Sequence, residues 1–128
     1  MTEQDRPLSP HLQVYKPQMT SVLSITHRAT GAALAIGLLY VAWMLLATYM
    51  GEDAYNVFFN FSSSIIGKIM LFGWTVCIYY HLSNGIRHLF WDTGRLFKIK
   101  HAERAGYAVI ASTIILTAGT WICACMFS

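Results

Sequence analysis

The stretch of the chain that most clearly suggests chemistry is HLSNGIRHLFWD, residues 81–92, where polar side chains follow a long apolar run. Four of its residues are spaced by 4, 3 and 4 positions, so on a helix they share one face. They are His81, Gly85, His88 and Asp92. Asn84 lies beside this stripe and Arg87 points elsewhere. The spacing predicts a helix with one polar face.

A second cluster of similar residue types opens an earlier apolar run, in SITHRATG, residues 24–31. Its members are spaced by 3, 1 and 3 positions, again mostly one helical face. They are Ser24, His27, Arg28 and Gly31. Because one run begins where the other ends, antiparallel neighbouring helices would bring both clusters to the same depth. We therefore expect one shared pocket.

Imidazole is a good axial ligand for haem iron, and two imidazoles make a b-type electron-transfer centre. His81 is 13 residues past Lys68, roughly 20 Å along a helix, so it lies deeper than the other histidines. Since the chain offers only one deep histidine, bis-histidine ligation would need a second chain. Gly85 would leave room for a flat ligand. Haem propionates need cationic or hydrogen-bonding side chains at the interface, and four are suitably placed: His27, Arg28, Arg87 and His88.

A quinone head group would need hydrogen-bond donors at the same membrane surface, and Ser24 and Arg28 can supply them. Simpler interpretations stay open at this stage. Arg87, His88 and Asp92 could be helix-end anchors that reach the interface. His81 could form a helix-to-helix hydrogen bond, and Gly85 could serve close packing.

The elements that must position these residues follow from the distribution of charge. Of the 128 residues, 55% are hydrophobic and only 12% are charged, against about a quarter in soluble domains. No Asp, Glu, Lys or Arg occurs in residues 29–51, 69–86 or 105–128. A helix needs roughly 20 apolar residues to cross a bilayer. The sequence therefore predicts an all-α integral membrane domain, with transmembrane helices at about 22–50, 66–91 and 104–127.

The cations predict an orientation. They cluster before the first span and between the second and third: Arg6, Lys16, Arg28, Arg95, Lys98, Lys100 and Arg104. Positive-inside places the N-terminal segment 1–20 and the loop 93–104 in the cytoplasm, and the C-terminus outside. The N-terminus has neither a signal peptide nor a transit peptide, which favours a bacterial inner membrane. We expect residues 6–18 to be a cytoplasmic strap or a solvated loop, and residues 56–64 an interfacial turn or short helix.

Other classes of function are disfavoured by the same pattern. The net charge of +3 forms no basic stripe, so no nucleic-acid partner is expected. Cys77, Cys123 and Cys125 form no CxxC pair and fit small packing residues. A transporter should bury a carboxylate near the midplane, and none of the three predicted spans contains one.

Three segments together resemble one family, the cytochrome b membrane-anchor subunits of succinate dehydrogenase. They are RPLSPHLQVYKP, SITHRATG and HLSNGIRHLFWDTG. The resemblance extends over the N-terminal segment and the first two spans, whereas the third span matches only in apolar character. The specific signals are a histidine four residues before Gly-Ile-Arg-His, and Ser-x-x-His-Arg at the start of the first span.

The resemblance implies a role for each matching position. His81 would be an axial ligand of haem b, shared with a second anchor subunit that supplies the other histidine. Ser24 and Arg28 would line the ubiquinone site, and His27 would lie near the haem propionates with Arg87 and His88. The implied partners are a flavoprotein and an iron–sulfur subunit, which hold the FAD and the iron–sulfur clusters. The alternative is an anchor of fumarate reductase or of another quinone-linked complex.

Overall fold

The computed structural model describes residues 18–94 and 98–127, and they form four helices. In chain order these are α1 (Met19–Met50), α2 (Glu52–Ser63), α3 (Ile65–Asp92) and α4 (Ile99–Phe127). Helices α1, α3 and α4 are long and apolar enough to cross a membrane, and each contains one predicted span. The predicted all-α, three-span architecture is confirmed. The strap expected at residues 6–18 lies outside the described residues except for Gln18, as do residues 95–97 of the predicted cytoplasmic loop.

The breaks between helices have local causes. Gly51 ends α1 with a φ of 106°, a backbone conformation that favours glycine. Helix α2 then begins with Glu52 and Asp53, whose negative charges interact favourably with the positive end of the helix dipole and stabilise the helix. Ser64 caps α3, since its hydroxyl accepts a hydrogen bond from the Gly67 amide at 3.1 Å. The short helix expected near residues 56–64 is thus α2, which begins four residues earlier.

Helix α3 is the centre of the bundle, because it packs against α1 on one side and α4 on the other. Most large apolar side chains outside these contacts are exposed, among them Ile36, Leu39 and Ile115. In water this would be costly, but a lipid-facing surface is expected to be apolar. At the end of the bundle where α1 leads into α2, α2 packs onto the bundle through Phe58, which is buried against Tyr40 and Trp43.

Close helix approach depends on small residues. A Cβ atom added at Gly37 in α1 would lie 2.0 Å from Nε1 of Trp74, so the indole of α3 lies directly over this glycine. A Cβ atom added at Gly106 in α4 would lie 2.8 Å from a methyl carbon of Leu23. Close contacts of this kind stabilise the association of membrane helices by van der Waals packing, because the hydrophobic effect does not drive helices together in lipid.

Side-chain hydrogen bonds also join α3 to α4. The hydroxyl groups of Tyr79 and Thr120 are 2.7 Å apart, and Ser112 donates to Ser83 at 3.0 Å. Both links satisfy polar groups that would otherwise face hydrocarbon. They hold the third span in register with the second, which carries the stripe from His81 to Asp92.

Candidate functional site

The antiparallel packing of α1 and α3 brings three histidines together. The rings of His27 and His81 are stacked, with centroids 3.9 Å apart and planes 9° from parallel. The His88 ring lies two turns further along α3, with its centroid 5.2 Å from that of His27. The two clusters predicted from the sequence therefore meet, at one end of the bundle.

The ring of His81 is held by hydrogen bonds at one nitrogen. Nδ1 lies 3.1 Å from the backbone carbonyl oxygen of His27 and 3.2 Å from the Thr30 hydroxyl oxygen. A carbonyl oxygen can only accept, so the network assigns the proton to Nδ1. Nε2 then carries the lone pair. This is the tautomer and the anchoring pattern of a metal-ligating histidine.

Two glycines make room for the stacked rings. A Cβ atom added at Gly31 would lie 3.0 Å from Cε1 of His81, which is tighter than an ordinary contact. At Gly85 the added atom would lie 3.8 Å from Cε1 of His27, an ordinary van der Waals distance. Gly31 is thus the glycine whose size sets the position of His81, while Gly85 lies beside His27.

Ser24 and Arg28 line a shallow depression of about 340 Å³ at the same end of the bundle. Ser24 is half-buried and Arg28 is exposed. The other residues of its wall come from the first turns of α1 and from the end of α3: Thr20, Ser21, Ile25 and Trp91. A hydroxyl, a guanidinium and an indole therefore surround one opening, next to the histidine cluster.

Arg87 occupies a different position from the other predicted site residues. It is only 3% exposed, and its Nη1 donates to Oδ1 of Asn84 at 3.1 Å. Its guanidinium carbon lies 4.2 Å from the centre of a Trp91 ring, a cation–π distance. None of the described contacts joins Arg87 to His27, His81 or His88. Arg87 thus lies off the histidine stripe, as its helical spacing predicts.

Comparison with known proteins decides the family. Residues 2–120 match the family described as succinate dehydrogenase/fumarate reductase transmembrane subunit. The chain belongs to this family. The resemblance inferred from the motifs is confirmed, and with it the function of the chain as a membrane subunit of succinate dehydrogenase.

Individual relatives agree with this assignment. Proteins from Rickettsia prowazekii and Rickettsia felis are 44% and 43% identical, over 91% of this chain and 91% of each relative. One from Paracoccus denitrificans is 38% identical over 92% of this chain and 91% of its own length. All three are named succinate dehydrogenase cytochrome b556 subunit.

Several residues that contact the predicted site residues or line the same depression were not among the site residues predicted from the sequence. Thr30 contacts His81, Trp91 lines the depression, and Asn84 and Tyr80 bind the backbone of α1. Trp91 carried a usable signal, because tryptophan at the end of a span commonly marks the membrane interface. The other three depend on which residues of α1 face α3, which helical periodicity within one segment does not specify.

Proposed function

We propose that this subunit binds haem b through Nε2 of His81 and forms part of a ubiquinone-reduction site with Ser24 and Arg28. The observation that carries the proposal is the hydrogen bonding of His81. Its Nδ1 is held by the His27 carbonyl and by Thr30, which leaves Nε2 as a lone-pair donor.

The residues around His81 fit a haem. The names of the relatives describe b-type cytochromes, and a well-anchored imidazole is a suitable protein ligand for haem iron. His27, Arg28 and His88 are the candidates to interact with the propionates, whereas Arg87 is buried among Asn84 and Trp91. Gly85 remains a candidate for the haem pocket. When bound, the haem supplies one-electron transfer.

A second anchor subunit completes the haem site in this proposal. His27 is stacked on the ring of His81, so His27 would not be the second ligand of the same haem. A second anchor subunit would supply that ligand, and the two anchors would hold the haem between them.

The depression beside Ser24 and Arg28 suits the head group of ubiquinone. The Ser24 hydroxyl donates a hydrogen bond to a quinone carbonyl oxygen, and the positive charge of Arg28 stabilises negative charge that develops on that oxygen during reduction. Conversion to the quinol takes two electrons and two protons. The flavin and the iron–sulfur clusters of the partner subunits would supply the electrons from succinate, and the exposed depression lets protons arrive from water.

The same arrangement gives the orientation that we propose. Ser24, Arg28 and His88 lie at the end of the bundle where the cations cluster, which the positive-inside rule assigns to the cytoplasm. The flavoprotein and iron–sulfur subunits would dock there, next to the quinone. The N-terminus is cytoplasmic and the C-terminus periplasmic, in a bacterial inner membrane, as the relatives from Rickettsia and Paracoccus support.

A difference spectrum tests the proposal. The complex is purified through a tag on this chain, and its visible spectrum is recorded after reduction with succinate and after reduction with dithionite. A b-type α band with succinate is expected, because it requires both the haem and electron entry through bound partners. A band with dithionite alone would contradict the proposed electron path from succinate. The absence of a band with either reductant would contradict the proposal that the subunit binds haem.

A further inference from the structure

The backbone carbonyl of Leu23 is the point where α1 is tied to α3. The Tyr80 hydroxyl donates to it at 2.9 Å and the Asn84 side-chain amide at 3.0 Å. Leu23 is 5% exposed and Asn84 is fully buried, so water does not compete for these bonds. Tyr80 also hydrogen-bonds the Thr26 hydroxyl on the next turn of α1.

The position of this carbonyl along α1 relates it to the site. Leu23 directly precedes Ser24 and lies one helical turn before His27. A shift of α1 by one residue, or a rotation about its axis, would therefore move Ser24 and His27 together relative to His81. The hydrogen bonds from α3 oppose both movements, because they specify one carbonyl group rather than a surface.

The amide of Asn84 can adopt only one orientation. Its oxygen faces Nη1 of Arg87, which can only donate, and its nitrogen faces the Leu23 carbonyl, which can only accept. Arg87 in turn lies over Trp91, which forms a wall of the depression next to Ser24. One buried chain of contacts therefore runs from the wall of that depression to the backbone of α1.

We propose that Asn84 and Tyr80 are positioning residues for the quinone and haem sites, acting through the Leu23 carbonyl on the turn of α1 that carries Ser24 and His27. This inference rests on the proposed function of those two sites. The exposed apolar side chains of α1 that face lipid tolerate sliding and rotation, so they do not select a register. A directional bond to a backbone group is what selects one register.

Helix α3 itself offers controls, because residues adjacent to Tyr80 and Asn84 make side-chain hydrogen bonds to α4 instead of α1. Tyr79 bonds Thr120 on α4, whereas Tyr80 bonds α1. Ser83 bonds Ser112 on α4, whereas Asn84 bonds α1. Loss of a bond at Tyr79 or Ser83 weakens the bundle without touching the turn that carries Ser24 and His27.

The experiment compares Tyr80→Phe and Asn84→Asp with Tyr79→Phe and Ser83→Ala in the purified complex. Asn84→Asp keeps the shape of the side chain and an acceptor for Arg87. It replaces the donor to Leu23 with a carboxylate oxygen and adds a negative charge beside Arg87. The measurements are kcat and KM for a short-chain ubiquinone, the haem midpoint potential, and succinate oxidation by phenazine methosulfate. That artificial acceptor reports on the succinate-oxidising partners without the quinone site.

We expect Tyr80→Phe and Asn84→Asp each to raise KM for the quinone by about five-fold, the factor typical of one lost hydrogen bond. The haem potential should shift while haem content and the phenazine methosulfate rate stay at their original values. The two α4-side controls should leave KM and the potential unchanged. If Asn84→Asp fails to assemble, Tyr80→Phe alone carries the test, since it removes a single hydroxyl.

Unchanged KM and potential in Tyr80→Phe would overturn the inference, and so would equal changes in the α4-side controls. Arg28→Ala in the same preparation separates this failure from that of the proposed function. If Arg28→Ala impairs quinone reduction while Tyr80→Phe does not, only the positioning role is wrong. If Arg28→Ala has no effect either, the quinone site itself is misplaced.

Discussion

The imidazole of His27 lies flat against that of His81, with ring centroids 3.9 Å apart. Nothing can enter between two rings at this distance, so His27 supports the ring of His81 and cannot face it across a haem. The backbone of the same residue fixes the tautomer of His81 through its carbonyl oxygen. One residue of α1 thus controls both the tilt and the protonation of the proposed iron ligand.

Enlarging Gly31 should displace His81. In Gly31→Ala the new methyl group would lie 3.0 Å from Cε1 of the imidazole, so the ring must shift or rotate. We expect lower haem content or a displaced α band in the purified complex. Gly73→Ala in α3 is the control, because nothing lies within 4 Å of its added carbon. Identical spectra for the two variants would show that Gly31 does not set the ring position.

Removing the Thr30 hydroxyl should change the midpoint potential of the haem without loss of the haem. Thr30 Oγ1 donates to the His27 carbonyl at 2.9 Å and is available to accept from Nδ1 of His81. In Thr30→Val the imidazole loses one acceptor and donates less electron density to iron. We expect the midpoint potential to rise by on the order of 20 mV, equivalent to about 0.5 kcal/mol for one electron.

A redox titration of the complex measures this shift. Thr48→Val is the matched control, since the Thr48 hydroxyl bonds only the carbonyl of Met44 in its own helix among the described contacts. A fall in potential, or the same rise in both variants, would contradict the assignment of the proton to Nδ1.

Substitutions at Arg28 and at His81 should affect different properties, quinone reduction and haem binding respectively. Arg28→Ala removes the charge beside the proposed quinone oxygen, so kcat/KM for ubiquinone should fall about 100-fold, the scale of a lost charge-stabilising donor. Haem content should persist. His81→Ala should instead remove or perturb the haem band. Pyridine haemochrome assays and quinone reductase rates measure the two effects, and equal haem loss in both variants would mean that the sites are not distinct.

The packing of Trp74 on Gly37 should matter for stability alone. In Gly37→Ala the added carbon would lie 2.0 Å from Nε1 of Trp74, which forces α1 and α3 apart or the indole out of its rotamer. We expect a loss of about 1–3 kcal/mol in the free energy of unfolding, typical of overpacking. Thermal unfolding of the solubilised complex, followed by loss of the haem band, measures it.

Gly119→Ala in α4 is the control for Gly37, because its added carbon meets nothing within 4 Å. Alanine also favours a helix over glycine, so this variant should keep or raise the unfolding temperature. Equal unfolding temperatures for the two variants would show that the contact between Gly37 and Trp74 is loose in the solubilised complex.

The sequence by itself determined the three spans and the stripe that holds His81, Gly85 and His88. Both follow from local rules, because the bilayer requires about 20 apolar residues per span and helical periodicity assigns faces within one segment. The meeting of His27 with His81 was also predictable, since charge placed both clusters at the same depth.

Only the tertiary structure decided which atoms meet between the helices. That Leu23 offers its carbonyl to Tyr80 and Asn84, and that Gly31 rather than Gly85 limits His81, both depend on the axial register and rotation of α1 against α3. Changing the axial register or the rotation of a helix does not change the hydropathy or the residue spacing of its sequence, so neither can be predicted from them. Register and rotation are set by directional hydrogen bonds and close packing between residues more than 50 positions apart.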